Sequence, residues 1–199
     1  MLQINGISLH VEDHGRGRPV LLLHGWPDSA YLWRNQIPFL VVNGFHAIAP
    51  DLRGFGRSDR PEGVAAYSLQ NAVGDVLGIL DAFGIDAADI VGHDWGAAVA
   101  WFTATAHPER VHKLVVLSVP HPLAPRTPRQ REIAWYQLFF QFEGIAEAAA
   151  RRLGTFPGVA PRQRRCRPLY FGFVTPRCTD RIAQLVPREP RSAYAGAAS

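Results

Sequence analysis

Short apolar runs alternate with longer amphipathic stretches over the first 120 residues, and this alternation constrains the fold more than any other feature. The run Pro19–Leu23 is apolar throughout, which is typical of a strand buried on both faces of a sheet. Strands that alternate with helices predict an α/β fold, with a mainly parallel sheet and helices on both faces. The predicted strands are Ile7–Glu12, Pro19–Leu23, Phe45–Ala49, Asp89–Gly92 and Val111–Val119.

Helices are predicted between these strands, where apolar residues recur at three- and four-residue spacing. One covers Ala30–Val42, and a second begins after Ser68 as N-cap and ends before Gly84 as C-cap. A third covers Trp95–Ala106, and an aromatic-rich helix is predicted over Glu132–Ala150. Ligands of such sheets bind at the carboxyl ends of the strands, so the loops at these ends are the first candidates for a site.

The pentapeptide Gly92-His93-Asp94-Trp95-Gly96 joins a predicted strand to a predicted helix. Small residues two before and two after the central residue are typical of a nucleophile elbow, a strained turn against which the helix packs closely. The central residue is Asp94, and a carboxylate is ionised at neutral pH. It needs no base to attack an electrophilic carbon and form an ester. The alternative interpretation is an ordinary aspartate that caps the helix.

Two further loops accompany the elbow. His24-Gly25-Trp26-Pro27 follows an earlier buried strand, and the Gly-rich segment Asp51–Asp59 follows the next one. Together, in this order, the motifs resemble those of the α/β-hydrolases, and aspartate at the elbow resembles the epoxide hydrolases and haloalkane dehalogenases. Ser118–Pro122 and the stretch Trp135–Glu147, which resembles the start of the epoxide-hydrolase cap, favour the epoxide hydrolases. The resemblance covers residues from about 4 to about 150.

The resemblance implies a role for each matching residue. Asp94 would be the nucleophile, and the backbone N–H groups of Trp26 and Trp95 would form the oxyanion hole. Tyr136 matches the first of two cap tyrosines that donate a hydrogen bond to the epoxide oxygen as the ring opens. Trp26, Trp95 and Tyr136 would also contact the substrate, a small-molecule epoxide. His24 itself is interpreted as a structural, hydrogen-bonded histidine.

The sequence departs from the family after the cap begins. In the family a histidine near the C-terminus activates the water that hydrolyses the ester, and a carboxylate orients this histidine, yet no histidine follows His121. A second cap tyrosine and the last two strands of the sheet are also without a match. We therefore expect an epoxide hydrolase with impaired turnover. The alternatives are a haloalkane dehalogenase-like hydrolase, although Trp26 replaces the usual asparagine, and an inactive truncated pseudoenzyme. A serine esterase is the weakest alternative, because serine is absent from the elbow.

The charge balance changes abruptly near residue 151. Residues 1–150 have eleven basic and fifteen acidic side chains, whereas residues 151–199 have ten arginines and two acidic residues. We therefore divide the chain into a hydrolase core (1–125), the start of a helical cap (126–150) and an Arg- and Pro-rich tail (151–199). The shift favours a change of reading frame or a degraded gene, which the coding DNA read in its other frames would test.

Composition also limits the partners and the location of the protein. Aromatic residues are not interleaved with the tail arginines as in nucleic-acid-binding segments, so no nucleic acid is expected.

Residues Met1–Asn5 do not resemble a secretory signal, and the longest uncharged central stretch is too short to span a bilayer. Cys166 and Cys178 form no disulfide framework. We expect a cytoplasmic protein without metal or cofactor, and the sequence leaves its oligomeric state open.

Overall fold

The computed structural model describes residues 1–124 and 127–129 of the chain. The strands in this part are β1 (Leu2–Ile4), β2 (Ile7–Leu9), β3 (Val11–His14), β4 (Arg18–Leu23), β5 (Phe45–Pro50), β6 (Ala88–His93) and β7 (Val111–Leu117). The helices are α1 (Gln36–Val42), α2 (Leu69–Ala82) and α3 (Trp95–Ala106), with short 3-10 turns at Ala30–Trp33, Val64–Tyr67 and Pro108–Arg110. The helix predicted over Glu132–Ala150 and the tail lie outside the described residues.

Five strands form one sheet in the order β3-β5-β4-β6-β7, and β1 pairs with β2 in a separate antiparallel hairpin. Within the sheet β4, β5, β6 and β7 are parallel, whereas β3 runs antiparallel to β5. The predicted mainly parallel sheet is therefore confirmed. The register pairs Leu23 of β4 with Gly92 of β6, so the loops that follow these two strands leave the sheet side by side.

The apolar run in β4 is buried on both faces of the sheet. Leu21 and Leu23 belong to one buried cluster with residues of α2 and α3, such as Val76 and Val99. Because successive side chains of a strand point to opposite faces, Val20 and Leu22 face the other side, where α1 packs against β5. A continuous apolar run is what this two-sided burial requires.

Two predicted elements are interrupted in the structure. The helix predicted over Ala30–Val42 is instead a 3-10 turn, Ala30–Trp33, followed by α1 from Gln36. Pro38 is thereby the third residue of α1, where a missing N–H removes no hydrogen bond within the helix. The strand predicted over Ile7–Glu12 is also divided, because its two halves pair with different partners, β1 and β5.

Helix α2 begins and ends as its sequence predicts. The side chain of Ser68 accepts a hydrogen bond from the N–H of Asn71 at 3.3 Å, which caps the first turn. Gly84 follows the last turn with a φ of 65°, a left-handed conformation in which glycine carries no steric penalty. No helix in the described part of the chain is long and apolar enough to cross a lipid bilayer.

Candidate active site

Asp94 occupies a strained turn between β6 and α3. Its φ of 53° is left-handed, a conformation that costs a non-glycine residue about 1–2 kcal/mol. The backbone carbonyl of Asp94 accepts hydrogen bonds from Ala97 and Ala98, and its N–H donates to the Leu117 carbonyl at 3.3 Å. The carboxylate makes no capping hydrogen bond to α3. The residue is therefore held in place by its backbone, and the interpretation as an ordinary helix cap does not describe it.

The two glycines of the pentapeptide allow β4, β6 and α3 to approach each other closely. A Cβ atom at Gly92 would lie 2.5 Å from the carbonyl oxygen of Gly96, and one at Gly96 would lie 2.3 Å from that of Leu23. Neither distance leaves room for a side chain, since both would be contacts with backbone atoms. The spacing of small residues read from the sequence thus has a packing cause.

The loop after β4 meets the Asp94 side chain directly. The backbone N–H of Trp26 donates a hydrogen bond to Oδ1 of Asp94 at 2.9 Å. Trp95, the other residue predicted to supply an N–H, is the first residue of α3, where N–H groups have no acceptor within the helix. The side chain of Trp95 is 59% exposed. Asp94, Trp26 and Trp95 are thus brought together at one edge of the sheet, as the motifs predict.

His24 is fully buried, and both ring nitrogens have backbone partners. Its Nε2 lies 2.9 Å from the Leu52 nitrogen and accepts that N–H, so its proton is on Nδ1, which donates to the Gly25 carbonyl at 2.8 Å. Burial lowers the pKa of His24, while the hydrogen bond to Gly25 and the charge of Asp51 oppose this shift. The ring is therefore neutral at pH 7, and the predicted structural character of His24 agrees with these contacts.

Asp51, the first residue after β5, connects this loop to the Gly-rich segment. Its buried carboxylate accepts the N–H of Ala30 at 2.7 Å and the N–H of Arg57 at 2.9 Å. A Cβ at Gly56 would lie 2.1 Å from the same carboxylate. Asp51 is not among the site residues predicted from the sequence, although its position directly after a buried strand is a signal that the sequence contains.

A buried ion pair fixes the Gly-rich segment to α2. The guanidinium of Arg53 donates to both carboxylate oxygens of Asp75 at 2.6 Å, and both side chains are less than 10% exposed. Arg53 also donates to the carbonyl groups of Ala66 and Asn71. The charges are thereby satisfied by several hydrogen bonds, the condition under which a buried ion pair is tolerated. This network therefore holds the Gly-rich segment against α2.

His93, immediately before Asp94, was not identified from the sequence. Among the described residues its Nδ1 is buried and has no hydrogen-bond partner. Burial lowers the pKa of His93, against the opposing effect of the negative charges of Asp94 and Asp28. Within residues 1–124 and 127–129, no histidine forms a hydrogen bond with the Asp94 carboxylate. Tyr136, the predicted proton donor, lies outside the described residues.

The chain is similar to a family model and to curated proteins of known families. A family model described as "alpha/beta hydrolase fold" matches residues 18–157. The chain is 42% identical over 154 residues to the AB hydrolase superfamily protein YfhM of Bacillus subtilis, covering 74% of this chain and 54% of that protein. It is 44% identical over 157 residues to epoxide hydrolase A of Mycobacterium tuberculosis, covering 74% and 49%.

Solved structures give the same result. A mutant of a Vigna radiata epoxide hydrolase superposes with a TM-score of 0.70 at 39% identity, covering 77% of this chain and 51% of the other. The chain spans about half the length of the curated relatives it matches.

Proposed function

Because the chain belongs to the α/β-hydrolase fold family, we propose that its site opens epoxides through attack by Asp94. One observation carries the proposal: the Asp94 carboxylate stands on a strained turn with one oxygen held by the Trp26 N–H at 2.9 Å. A carboxylate in this position can attack an electrophilic carbon without a base to activate it. The epoxide hydrolases to which the chain is similar support the substrate class.

The two carboxylate oxygens of Asp94 would have different tasks. Oδ1 is held by Trp26, which leaves Oδ2 to attack a ring carbon. A new C–O ester bond forms as the ring C–O bond breaks, and the departing oxygen becomes an alkoxide that must take up a proton. We assign that proton to the phenol of Tyr136, as the family resemblance implies.

Hydrolysis of the ester would use the same hydrogen bond in a different way. When water adds to the ester carbonyl, negative charge develops on Oδ1, the atom that already accepts the Trp26 N–H. A donor fixed in advance costs no reorganisation as the charge develops. The N–H of Trp95, at the positive end of the α3 dipole, would be the second donor.

The added water must also lose a proton, and this step limits turnover in our proposal. The family base is a histidine that follows the nucleophile and lies near the C-terminus, but residues 122–199 contain no histidine. We therefore propose that ring opening is the faster half-reaction and that the alkyl-enzyme ester accumulates.

Intact-mass measurement after incubation with a small aryl epoxide tests the proposal. A single adduct should form, and Asp94→Asn should abolish it. Asp86→Asn is the matched control, because Asp86 is exposed and lies in the loop before β6. An adduct on Cys166 or Cys178 in place of Asp94 would contradict the proposal, since it would report ordinary thiol chemistry. Chloride release from a chloroalkane without any reaction with epoxides would favour the dehalogenase alternative.

A further inference from the structure

The peptide unit between Gly25 and Trp26 is hydrogen-bonded at both ends. Its carbonyl oxygen accepts a hydrogen bond from Nδ1 of His24 at 2.8 Å and another from the N–H of Asp28 at 2.9 Å. Its N–H donates to Oδ1 of Asp94 at 2.9 Å. In a planar trans peptide the C=O and N–H groups point in opposite directions. Whatever fixes the carbonyl therefore also determines where the N–H points.

The ring of His24 can make both of its hydrogen bonds in only one protonation state. Its Nε2 accepts the Leu52 N–H, so the single proton of the neutral ring must be on Nδ1, facing the Gly25 carbonyl. The charged groups that face the ring are Asp51 and Asp28, together with the imidazole of His93. The ring is buried completely, so it has no surface with which to touch a substrate.

We infer that His24 is a positioning residue for the oxyanion hole, which it serves by aiming the Trp26 N–H at Asp94. The inference rests on the proposed function, because the N–H matters for catalysis only if Asp94 forms an ester. A carbonyl that accepts two hydrogen bonds also polarises its peptide, which strengthens the N–H at the other end as a donor. His24 thereby acts on Asp94 through the Gly25–Trp26 peptide, whose N–H it orients. This role is distinct from a contribution to the overall stability of the loop.

Two substitutions separate the two hydrogen bonds of the ring. The amide nitrogen of asparagine reaches the place of Nδ1, so His24→Asn keeps the donor to the Gly25 carbonyl and loses the acceptor for Leu52. The amide of glutamine reaches the place of Nε2, so His24→Gln keeps the acceptor and loses the donor. Each variant removes one buried hydrogen bond, and a merely structural role predicts similar defects in both. A positioning role predicts that asparagine preserves the site and glutamine does not.

The first measurement needs no reaction. In the amide NMR spectrum of the full chain, the Trp26 resonance should stay near its wild-type position in His24→Asn. In His24→Gln the Trp26 resonance should move upfield, and the Trp26 amide proton should exchange faster with solvent. The variant Asp94→Asn is the reference that gives the direction of both changes. Equal changes in the two histidine variants would overturn the inference.

The second measurement follows cleavage of the Asp94 ester by hydroxylamine, a nucleophile that does not depend on a protein base. Its nitrogen bonds to the ester carbon, the acyl C–O bond breaks, and the alcohol leaves with the proton from nitrogen. Cleavage in His24→Gln should be at least about 10-fold slower than in the wild type, against about 10²–10³-fold for loss of a whole oxyanion donor. His24→Asn should remain close to the wild-type rate.

The two measurements keep the inference and the proposed function apart. An ester that forms but is cleaved equally fast in both histidine variants overturns the inference and leaves the proposed function standing. If the wild type forms no ester, the proposed function fails, and the Trp26 amide resonance alone decides whether His24 aims this peptide.

Discussion

A Cβ atom at Gly25 would lie 2.3 Å from the Cβ of Asp94 and 2.6 Å from its Oδ1. The loop after β4 thus contacts the proposed nucleophile at Gly25, a position where only a hydrogen atom fits. This contact brings the Trp26 N–H within hydrogen-bonding distance of the carboxylate. Glycine is therefore required at position 25 by packing against Asp94, which lies 69 positions later in the chain.

Gly25→Ala should strongly slow the alkylation of Asp94 while the protein still folds. The added methyl group must displace either the loop or the carboxylate, which we expect to cost about 1–3 kcal/mol of folding free energy. The loss of alignment should slow adduct formation by about 10²-fold. Intact-mass time courses with an aryl epoxide measure the rate. Gly74→Ala, within α2 and facing only the flexible Asn5 side chain, is the control and should alkylate normally.

The ester formed on Asp94 should persist once it has formed. Without a positioned base, hydrolysis should be about 10²–10⁴-fold slower than in an enzyme that has one. Removal of excess epoxide, followed by mass measurement over hours at pH 7, gives the decay rate directly. Sustained diol production with multiple turnovers would refute this prediction, because it requires a base. The described residue to test first in that case is His93, whose buried Nδ1 has no partner among residues 1–124 and 127–129.

Disruption of the pair between Arg53 and Asp75 should destabilise the whole domain. Arg53→Met leaves the Asp75 carboxylate buried without its cation, a change that typically costs about 3–5 kcal/mol. Urea denaturation should show a lower midpoint with an unchanged slope. The pair between Glu12 and Arg57 spans a similar 2.8 Å, but its side chains are 36% and 61% exposed. Arg57→Met, which removes the same kind of cation at this more exposed place, is therefore the matched control and should cost less than about 1 kcal/mol. Equal losses of folding free energy in the two variants would show that burial of the Arg53–Asp75 pair does not decide its contribution.

Acid should destabilise the fold through its buried histidines. Burial lowers the pKa values of His24 and His93 below the value of 6.5 that applies to an exposed or unfolded histidine. Between the folded and unfolded pKa values the unfolded chain binds more protons. The stability contributed by the neutral rings is therefore complete above pH 6.5 and is lost as the pH falls through the lowered pKa values.

Thermal unfolding between pH 7.5 and pH 5 measures this dependence. Tm should fall with pH, and His93→Gln should flatten the dependence, since glutamine does not titrate in this range. A slope that His93→Gln leaves unchanged would show that the buried ring is not responsible.

Much of the fold could be predicted from local sequence alone. The helix Trp95–Ala106 and the buried strand β4 agree with their predicted positions, because their apolar side chains carry the necessary information within a few residues. The resemblance to α/β-hydrolases is confirmed as well, since its motifs are short and contiguous. The helix predicted over Ala30–Val42 was wrong in its first half. Ser29 accepts a hydrogen bond from Tyr31 there, and the chain forms a 3-10 turn before α1 begins.

The sequence by itself determined which residue would be the candidate nucleophile and which loop would face it. The glycine spacing around Asp94 and the His-Gly pair after β4 are local signals of a strained turn and a close approach. Only the tertiary structure decided the contacts that give the site its geometry. Trp26 and Asp94 are 68 residues apart, and they meet because the register pairs Leu23 with Gly92. The hydrogen bonds that the Asp51 carboxylate accepts from Ala30 and Arg57 depend equally on strand order and register, and so does the lack of a partner for Nδ1 of His93 among the described residues. Strand order and register are set by burial across the whole sheet and cannot be read from neighbouring residues.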